Sequence, residues 1–148
     1  MNVHNNRRPY LVLVDDDTHS ARLLTRVLLA HGAPAIETID GADAAIERLR
    51  ALLGRSHPDL PGLVIVDLKS SSSATRDFVA ALRKLEGADR LTVAAMAPSL
   101  ERSVRDAVLD AGADAVFERH TDINTYRREA AGIVSFWVRG RHLRVVGA

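Results

Sequence analysis

The sequence lacks cysteine, long apolar runs and any marked excess of charge of one sign. Without cysteine, the chain has neither disulfides nor thiolate metal ligands. No apolar stretch approaches the roughly 20 residues that a membrane helix needs, and the polar first residues hold no apolar signal-peptide core. A net charge of +1 gives the chain no overall electrostatic footprint for nucleic acid. These absences favour a cytoplasmic protein that binds neither membranes nor nucleic acid.

Lysine is scarce as well, because only Lys69 and Lys84 are lysines among 20 basic residues. We attribute this scarcity first to genome composition. Of the 148 residues, 47% are hydrophobic and 26% are charged, which suits one globular domain with a buried core. We predict a flexible tail over residues 1–9, a single domain over residues 10–139 and a C-terminal arm over residues 140–148.

Short apolar runs alternate along the chain with segments of helical periodicity. Apolar runs bounded by polar residues are typical of strands buried on both faces. The predicted strands are Tyr10–Val14, Ala35–Ile39, Leu63–Val66, Leu91–Met96 and Ala115–Phe117. Helices are predicted between them, and a fifth, long helix from Asp122 to about Arg139. Because strands that alternate with helices form βαβ units, we predict an α/β fold with a five-stranded parallel sheet and helices on both faces.

Carboxylates directly follow two of the predicted strands. Asp15, Asp16 and Asp17 come after the first strand, and Asp67 comes after the third. Ligands of such sheets gather beyond the carboxyl ends of the strands. Clustered carboxylates repel one another and require a cation. Oxygen ligands favour Mg²⁺, which would also stabilise the charge of a transferring phosphoryl group. The alternative is that the first three aspartates only cap a helix and that Asp67 only ends a strand.

Three segments, YLVLVDDDTHSARLL, LVIVDL and AGADAVFERH, resemble response-regulator receiver domains in their order and spacing. The resemblance covers about residues 9–139. It implies a (βα)₅, flavodoxin-like fold that takes a phosphoryl group from a histidine kinase or a phosphotransfer protein. By position, Asp67 matches the phosphoacceptor of the family. Asp15 and Asp16 match its acidic pair, which with Asp67 would bind Mg²⁺, and Asp16 is the expected direct ligand.

Some positions depart from the family pattern. Ala97 stands where the family has a hydroxyl residue, Val116 where it often has an aromatic residue, and Arg119 and His120 where it has lysine and proline. Arg119 could bind phosphoryl oxygens, or it could pair with the aspartates at rest. A hydroxyl bond to a phosphoryl oxygen is worth roughly 1.5–3 kcal/mol, out of about 5.5 kcal/mol for complete switching. We therefore predict that phosphorylation couples weakly to the face between the fourth strand and the fifth helix.

The last predicted helix has a wide apolar surface. Tyr126, Ile133 and Trp137 share one stripe, and Phe136 extends it. The ending SFWVRGRHL is similar to that of small phytochrome-associated receiver proteins, which tend to pair through their C-terminal segments. Since aromatic residues and arginine are favoured at interface centres, we predict a homodimer or partner interface there. Packing within the chain is the alternative.

Three functions fit these observations. The first, which we favour, is a phosphoacceptor signalling protein. The second is a pseudo-receiver that acts as an interaction or dimerisation module without phosphorylation, as the missing hydroxyl and lysine suggest. The third is a phosphatase of the haloacid-dehalogenase type, because Asp15-x-Asp17 after an apolar strand resembles the start of that family. We expect a non-enzymatic protein, since the other motifs of that family and its cap segment are not found.

Overall fold

The predicted alternation of strands and helices is present in the structure, a computed structural model that describes residues 8–56 and 58–147. The strands are β1 (Tyr10–Asp15), β2 (Ala35–Asp40), β3 (Leu63–Asp67), β4 (Val93–Ala97) and β5 (Ala115–Glu118). The helices are α1 (Thr18–Ala30), α2 (Ala42–Leu53), α3 (Ala74–Arg83), α4 (Arg102–Ala111) and α5 (Ile123–Gly147). A 3-10 turn at Ala88–Arg90 precedes β4, so this strand begins two residues later than predicted.

The strands form one parallel sheet in the order β2-β1-β3-β4-β5. This is the flavodoxin-like order, and it confirms the predicted fold class. The chain changes direction across the sheet between β1 and β3, where crevices form at the carboxyl ends of the strands. The register pairs Asp15 at the end of β1 with Asp67 at the end of β3. The fold therefore brings the two acidic segments together.

Alternating strand positions build two hydrophobic cores, one on each face of the sheet. Val12 and Val14 of β1 pack with the buried residues of α2, α3 and α4. Leu11 and Leu13 pack with those of α1 and α5. Because helices cover both faces, β3 and β4 are buried along their whole length. A side chain at the end of β3 is consequently held by rigid surroundings.

The apolar stripe of α5 is used inside the domain. Tyr126, Ile133 and Trp137 are buried, with exposed fractions of 4%, 0% and 7%. The prediction that these three residues form an interface with another chain is therefore wrong. Phe136 is half-buried, and its ring meets that of Phe117 edge to face at a centroid distance of 6.1 Å. The stripe is wide because α5 packs against both the sheet and α1.

The fifth helix also continues to Gly147, so its predicted end near Arg139 is wrong. A glycine inside a helix costs only about 1 kcal/mol relative to alanine, and no proline follows Gly140 to stop the helix. The predicted arm over residues 140–148 is thus helical as far as it is described, and most of the predicted tail lies outside the described residues. None of the helices in the described part of the chain is long and apolar enough to cross a membrane.

Candidate functional site

The centre of the candidate site is Asp67, the last residue of β3. Its side chain is completely buried, and that of Asp15 beside it is 1% exposed. The apolar sequence of β3 places the strand in the core, and the parallel register fixes the two carboxylates side by side. Two buried carboxylates side by side require positively charged partners.

Arg119, which follows β5, is one of these partners. Its Nε donates a hydrogen bond of 2.8 Å to Asp67 Oδ1, and its Nη2 lies 2.7 Å from the same oxygen. The backbone N–H of Arg119 donates to the carbonyl of Ala97 at 2.7 Å, which fixes the start of this side chain beside β4. Of the two expectations for Arg119, the structure shows pairing with the aspartate.

Lys69 is the second partner, and the sequence reasoning missed it. Its Nζ donates to Asp15 Oδ1 at 2.6 Å and to the main-chain oxygen of Asp67 at 2.9 Å. It also lies 3.0 Å from Asp67 Oδ2, an ion-pair contact without hydrogen-bond alignment. Two buried carboxylates thus face two cations. One sequence feature could have indicated this role: Lys69 is one of only two lysines and stands two residues after the predicted acceptor.

The three consecutive aspartates have three different roles. Both oxygens of Asp16 accept from the backbone N–H of Lys69 at 3.0 Å, and Oδ2 also accepts from that of Ser70 at 2.9 Å. Asp17 caps α1, because its Oδ1 accepts from the backbone N–H of Ser20 at 3.0 Å. This bond lowers the pKa of the Asp17 carboxyl. Only Asp15 of the three faces the buried centre.

Burial dominates the electrostatics of this centre. It raises the pKa of Asp15, against the hydrogen bond from Lys69, which favours the charged form. Burial also raises the pKa of the Tyr126 hydroxyl, and the negative charges of Asp67 and Asp15 add to the effect. Tyr126, predicted as an interface residue, is therefore buried within electrostatic reach of the site.

The residues that depart from the receiver pattern lie in three different environments. Ala97 ends β4 as predicted, is 2% exposed and lines a cavity of about 210 Å³ together with Lys69 and Arg119. Its methyl group offers no hydrogen-bond donor. Val116 is half-buried and packs in the core on the α2–α4 side of the sheet. The ring nitrogens of His120 lie 3.4 Å and 3.5 Å from carboxylate oxygens of Glu118 and Glu129.

The structure does not bring Asp15, Asp16 and Asp67 together as a set of metal ligands. Within residues 8–56 and 58–147, no group of three or more histidine or acidic side chains is placed to hold a metal ion. Asp16 is engaged by backbone amides, and the ammonium of Lys69 lies between the other two carboxylates. The arrangement does not fit a divalent cation.

Comparison with known proteins places this geometry in a known fold. No protein-family model and no curated protein matches the sequence. Solved structures match closely in shape. The phosphorylated cyanobacterial phytochrome response regulator RcpA has a TM-score of 0.73 and 19% identity, over 89% of this chain and 95% of that one. The Mn²⁺-bound form of response regulator Rcp1 has a TM-score of 0.68 and 21% identity, over 87% and 94%.

A third solved structure, response regulator RPA3017 of red light signalling in R. palustris, has a TM-score of 0.67 and 20% identity, over 87% of this chain and 93% of that one. At these identities, the structural likeness establishes the fold alone. The chain therefore has the response-regulator receiver fold, as its sequence resemblance predicts.

Proposed function

We propose that this chain is a single-domain response regulator of a two-component or phosphorelay system, which accepts a phosphoryl group on Asp67 and acts in the cytoplasm through protein contacts. The donor would be a histidine kinase or a phosphotransfer protein. One observation carries the proposal: Asp67 ends the central strand of a receiver fold, with a guanidinium directed at its Oδ1 at 2.8 Å. Carboxyl ends of such strands are where ligands bind.

The reaction itself needs few groups. A carboxylate oxygen of Asp67 attacks the phosphorus of a phosphohistidine, the P–N bond breaks with its electron pair going to the ring nitrogen, and the leaving imidazole takes up a proton from solvent. The product carries more negative charge than the carboxylate did. Arg119 can donate to phosphoryl oxygens in a planar fork, and such charge-assisted bonds are the strong ones. Because the side chain of Asp67 is fully covered, Arg119 or Lys69 has to shift before a donor reaches it.

The proposed response to phosphorylation is local. The position at the end of β4 offers a methyl group instead of a hydroxyl, which removes roughly 1.5–3 kcal/mol of differential stabilisation. Complete switching requires about 5.5 kcal/mol. With Val116 in place of an aromatic lever, the charge change acts mainly on Arg119, Lys69 and their partners. Partners would then recognise the altered charge around Asp67 more than a rearranged β4–α5 face.

Phosphoramidate, a small donor with a P–N bond, tests the proposal. Wild-type protein is incubated with it, once with Mg²⁺ and once with a chelator, and the label is located by tandem mass spectrometry. We expect a phosphoryl group on Asp67 that is absent from Asp67→Asn. Asp110→Asn, which changes an exposed aspartate of α4, is the matched control and should label like wild type. Wild-type protein that takes up no label in either condition would overturn the proposal.

A second candidate function, the phosphorylation-independent interaction module, has its own supporting observation. Asp67 is fully buried and held by Arg119 and Lys69 together, which is the geometry of a structural ion cluster. An unlabelled protein in the phosphoramidate experiment would favour this candidate.

Homodimerisation also stays a prediction. Phe136, which extends the predicted stripe, is half-buried, and the neighbouring Val138 is 49% exposed, so a second chain could still contact these two residues of α5. Analytical ultracentrifugation of wild-type protein and of Val138→Glu tests it. We expect a dimer mass for wild type and a lower mass for the variant, and equal masses of the two proteins would argue against this face.

A further inference from the structure

We propose that the ammonium of Lys69 serves as the built-in cation of this site, so that the site excludes Mg²⁺ and other divalent metal ions. The contacts of one atom, Lys69 Nζ, support this proposal. Lys69 Nζ lies within 3.0 Å of three oxygens: Asp15 Oδ1, Asp67 Oδ2 and the main-chain oxygen of Asp67. A lysine ammonium has three donor hydrogens and a single positive charge. These oxygens already form its coordination shell.

A divalent ion would have to use the same oxygens. Mg²⁺ requires oxygen ligands at about 2.0–2.1 Å in octahedral geometry. An ammonium placed between Asp15 and Asp67 leaves no room for such an ion between them. The third acidic side chain is also engaged, because Asp16 accepts from the backbone N–H groups of Lys69 and Ser70. Metal entry therefore requires both the lysine and the loop to move.

Charge balance leads to the same result. The two buried carboxylates, Asp15 and Asp67, are balanced by Lys69 and Arg119. Adding a doubly charged cation would leave an excess of positive charge in a region that is largely desolvated, which is unfavourable. Removing Lys69 reverses the situation. The centre then carries an unbalanced negative charge on oxygens that face a space of the right chemistry for Mg²⁺.

This inference rests on the proposed function only in taking Asp67 as the centre of the site. If Asp67 accepts a phosphoryl group, then Lys69 and Arg119 supply the positive charge during transfer. A titration with metal alone, without a phosphodonor, tests it. Its failure is consequently distinguishable from a failure of Asp67 to become labelled.

Titration with Mn²⁺, followed by the electron paramagnetic resonance of the free ion, measures binding directly. The proteins are wild type, Lys69→Ala and Lys84→Ala. Lys84 is the only other lysine in the sequence and is exposed at the end of α3, which makes it the matched control. We expect wild type and Lys84→Ala to bind Mn²⁺ at least about tenfold more weakly than Lys69→Ala, a difference of about 1.4 kcal/mol. Equal affinity of wild type and Lys69→Ala would overturn the proposal.

A second measurement on wild type covers the case in which Lys69→Ala does not fold. Side-chain ¹⁵N NMR of the ammonium groups distinguishes the two lysines, because the Lys69 ammonium is partly buried and hydrogen-bonded and should exchange its protons more slowly than that of the exposed Lys84. The Lys69 signal should persist unchanged as Mg²⁺ is added, with Lys84 as the internal reference. Displacement of the Lys69 signal by Mg²⁺ would show that the metal takes this place, which contradicts the proposal.

Discussion

Removal of the Arg119 guanidinium should expose how strongly Asp67 depends on its partners. In Arg119→Ala, Asp67 Oδ1 loses contacts of 2.8 Å and 2.7 Å, and the side that the guanidinium covers is opened to solvent. The side chain of Lys69 still lies 3.0 Å from Oδ2, so half of the counter-charge is retained. We expect the variant to fold with reduced stability, because a buried carboxylate then lacks part of its compensation.

The magnitude follows from these contacts. Hydrogen bonds to charged groups contribute about 1.5–3 kcal/mol, and breaking a buried ion pair costs about 3–5 kcal/mol. Since the side chain of Arg119 is 24% exposed, and Lys69 remains, the lower end applies. We predict a loss of about 2 kcal/mol in the free energy of unfolding. For a chain of this size, that corresponds to a decrease of about 4–8 °C in the melting temperature.

Urea unfolding followed by circular dichroism measures the loss, and a double-mutant cycle with Asp67→Asn assigns it. In the Asp67→Asn background, Arg119→Ala should cost less than about 1 kcal/mol, because the amide needs no counter-charge. The control is Arg102→Ala, which removes an arginine whose side chain is 95% exposed beside Asp106. Equal losses from Arg119→Ala in both backgrounds would contradict this prediction, as would a loss no larger than that of Arg102→Ala.

Three further predictions concern the α5 core, a close approach and the pH dependence. Ile133→Ala should lower the free energy of unfolding by about 3 kcal/mol, because the side chain is fully buried, whereas Val138→Ala should change it by less than about 0.5 kcal/mol. Gly62→Ala should cost about 1–3 kcal/mol and alter the fluorescence of Trp137, the only tryptophan, because an added Cβ would lie 2.6 Å from its Nε1. The raised pKa of Asp15 means that folding disfavours its charged form. From the unfolded value of 3.8 up through the folded pKa, wild type should therefore lose stability relative to Asp15→Asn.

Each of these has a clear contrary outcome. A negligible loss in Ile133→Ala would mean that α5 does not pack on the sheet as described. Unchanged fluorescence and stability in Gly62→Ala would contradict the close approach of the tryptophan, and Gly54→Ala serves there as the control, since its nearest neighbour atom would lie at 3.5 Å. In the third case, a stability difference that grows in favour of wild type with rising pH would show that the Asp15 carboxyl prefers its charged form in the folded state.

The fold could be predicted because its signals are local and repeated. The strands β1, β3 and β4 carry apolar runs, the helices between them carry periodic apolar positions, and parallel topology then follows from general rules. The position of Asp67 could be predicted for the same reason, since it directly follows such a run. Ala97 also ends β4, at the place obtained by counting back from the fifth strand.

The counter-ions and the last helix could not be predicted in the same way. Lys69 lies in a serine-rich loop, whose path depends on Asp16, a residue 53 positions earlier in the chain. No local pattern encodes that contact. The stripe of α5 is equally compatible with a partner chain and with α1, because apolar residues satisfy either surface. Only the packing of the whole domain distinguishes the two.

The hydrogen bonds of Asp16 to the loop backbone change how the effects of substitutions at this position are interpreted. In a metal-dependent receiver, replacing an acidic residue here is expected to abolish metal binding. In this chain its carboxylate anchors the backbone of residues 69 and 70, and hence the loop that carries the ammonium to its place. An inactive Asp16→Ala protein would therefore report the loss of loop order, and its phenotype should be relieved by substitutions that rigidify the loop and not by added cations.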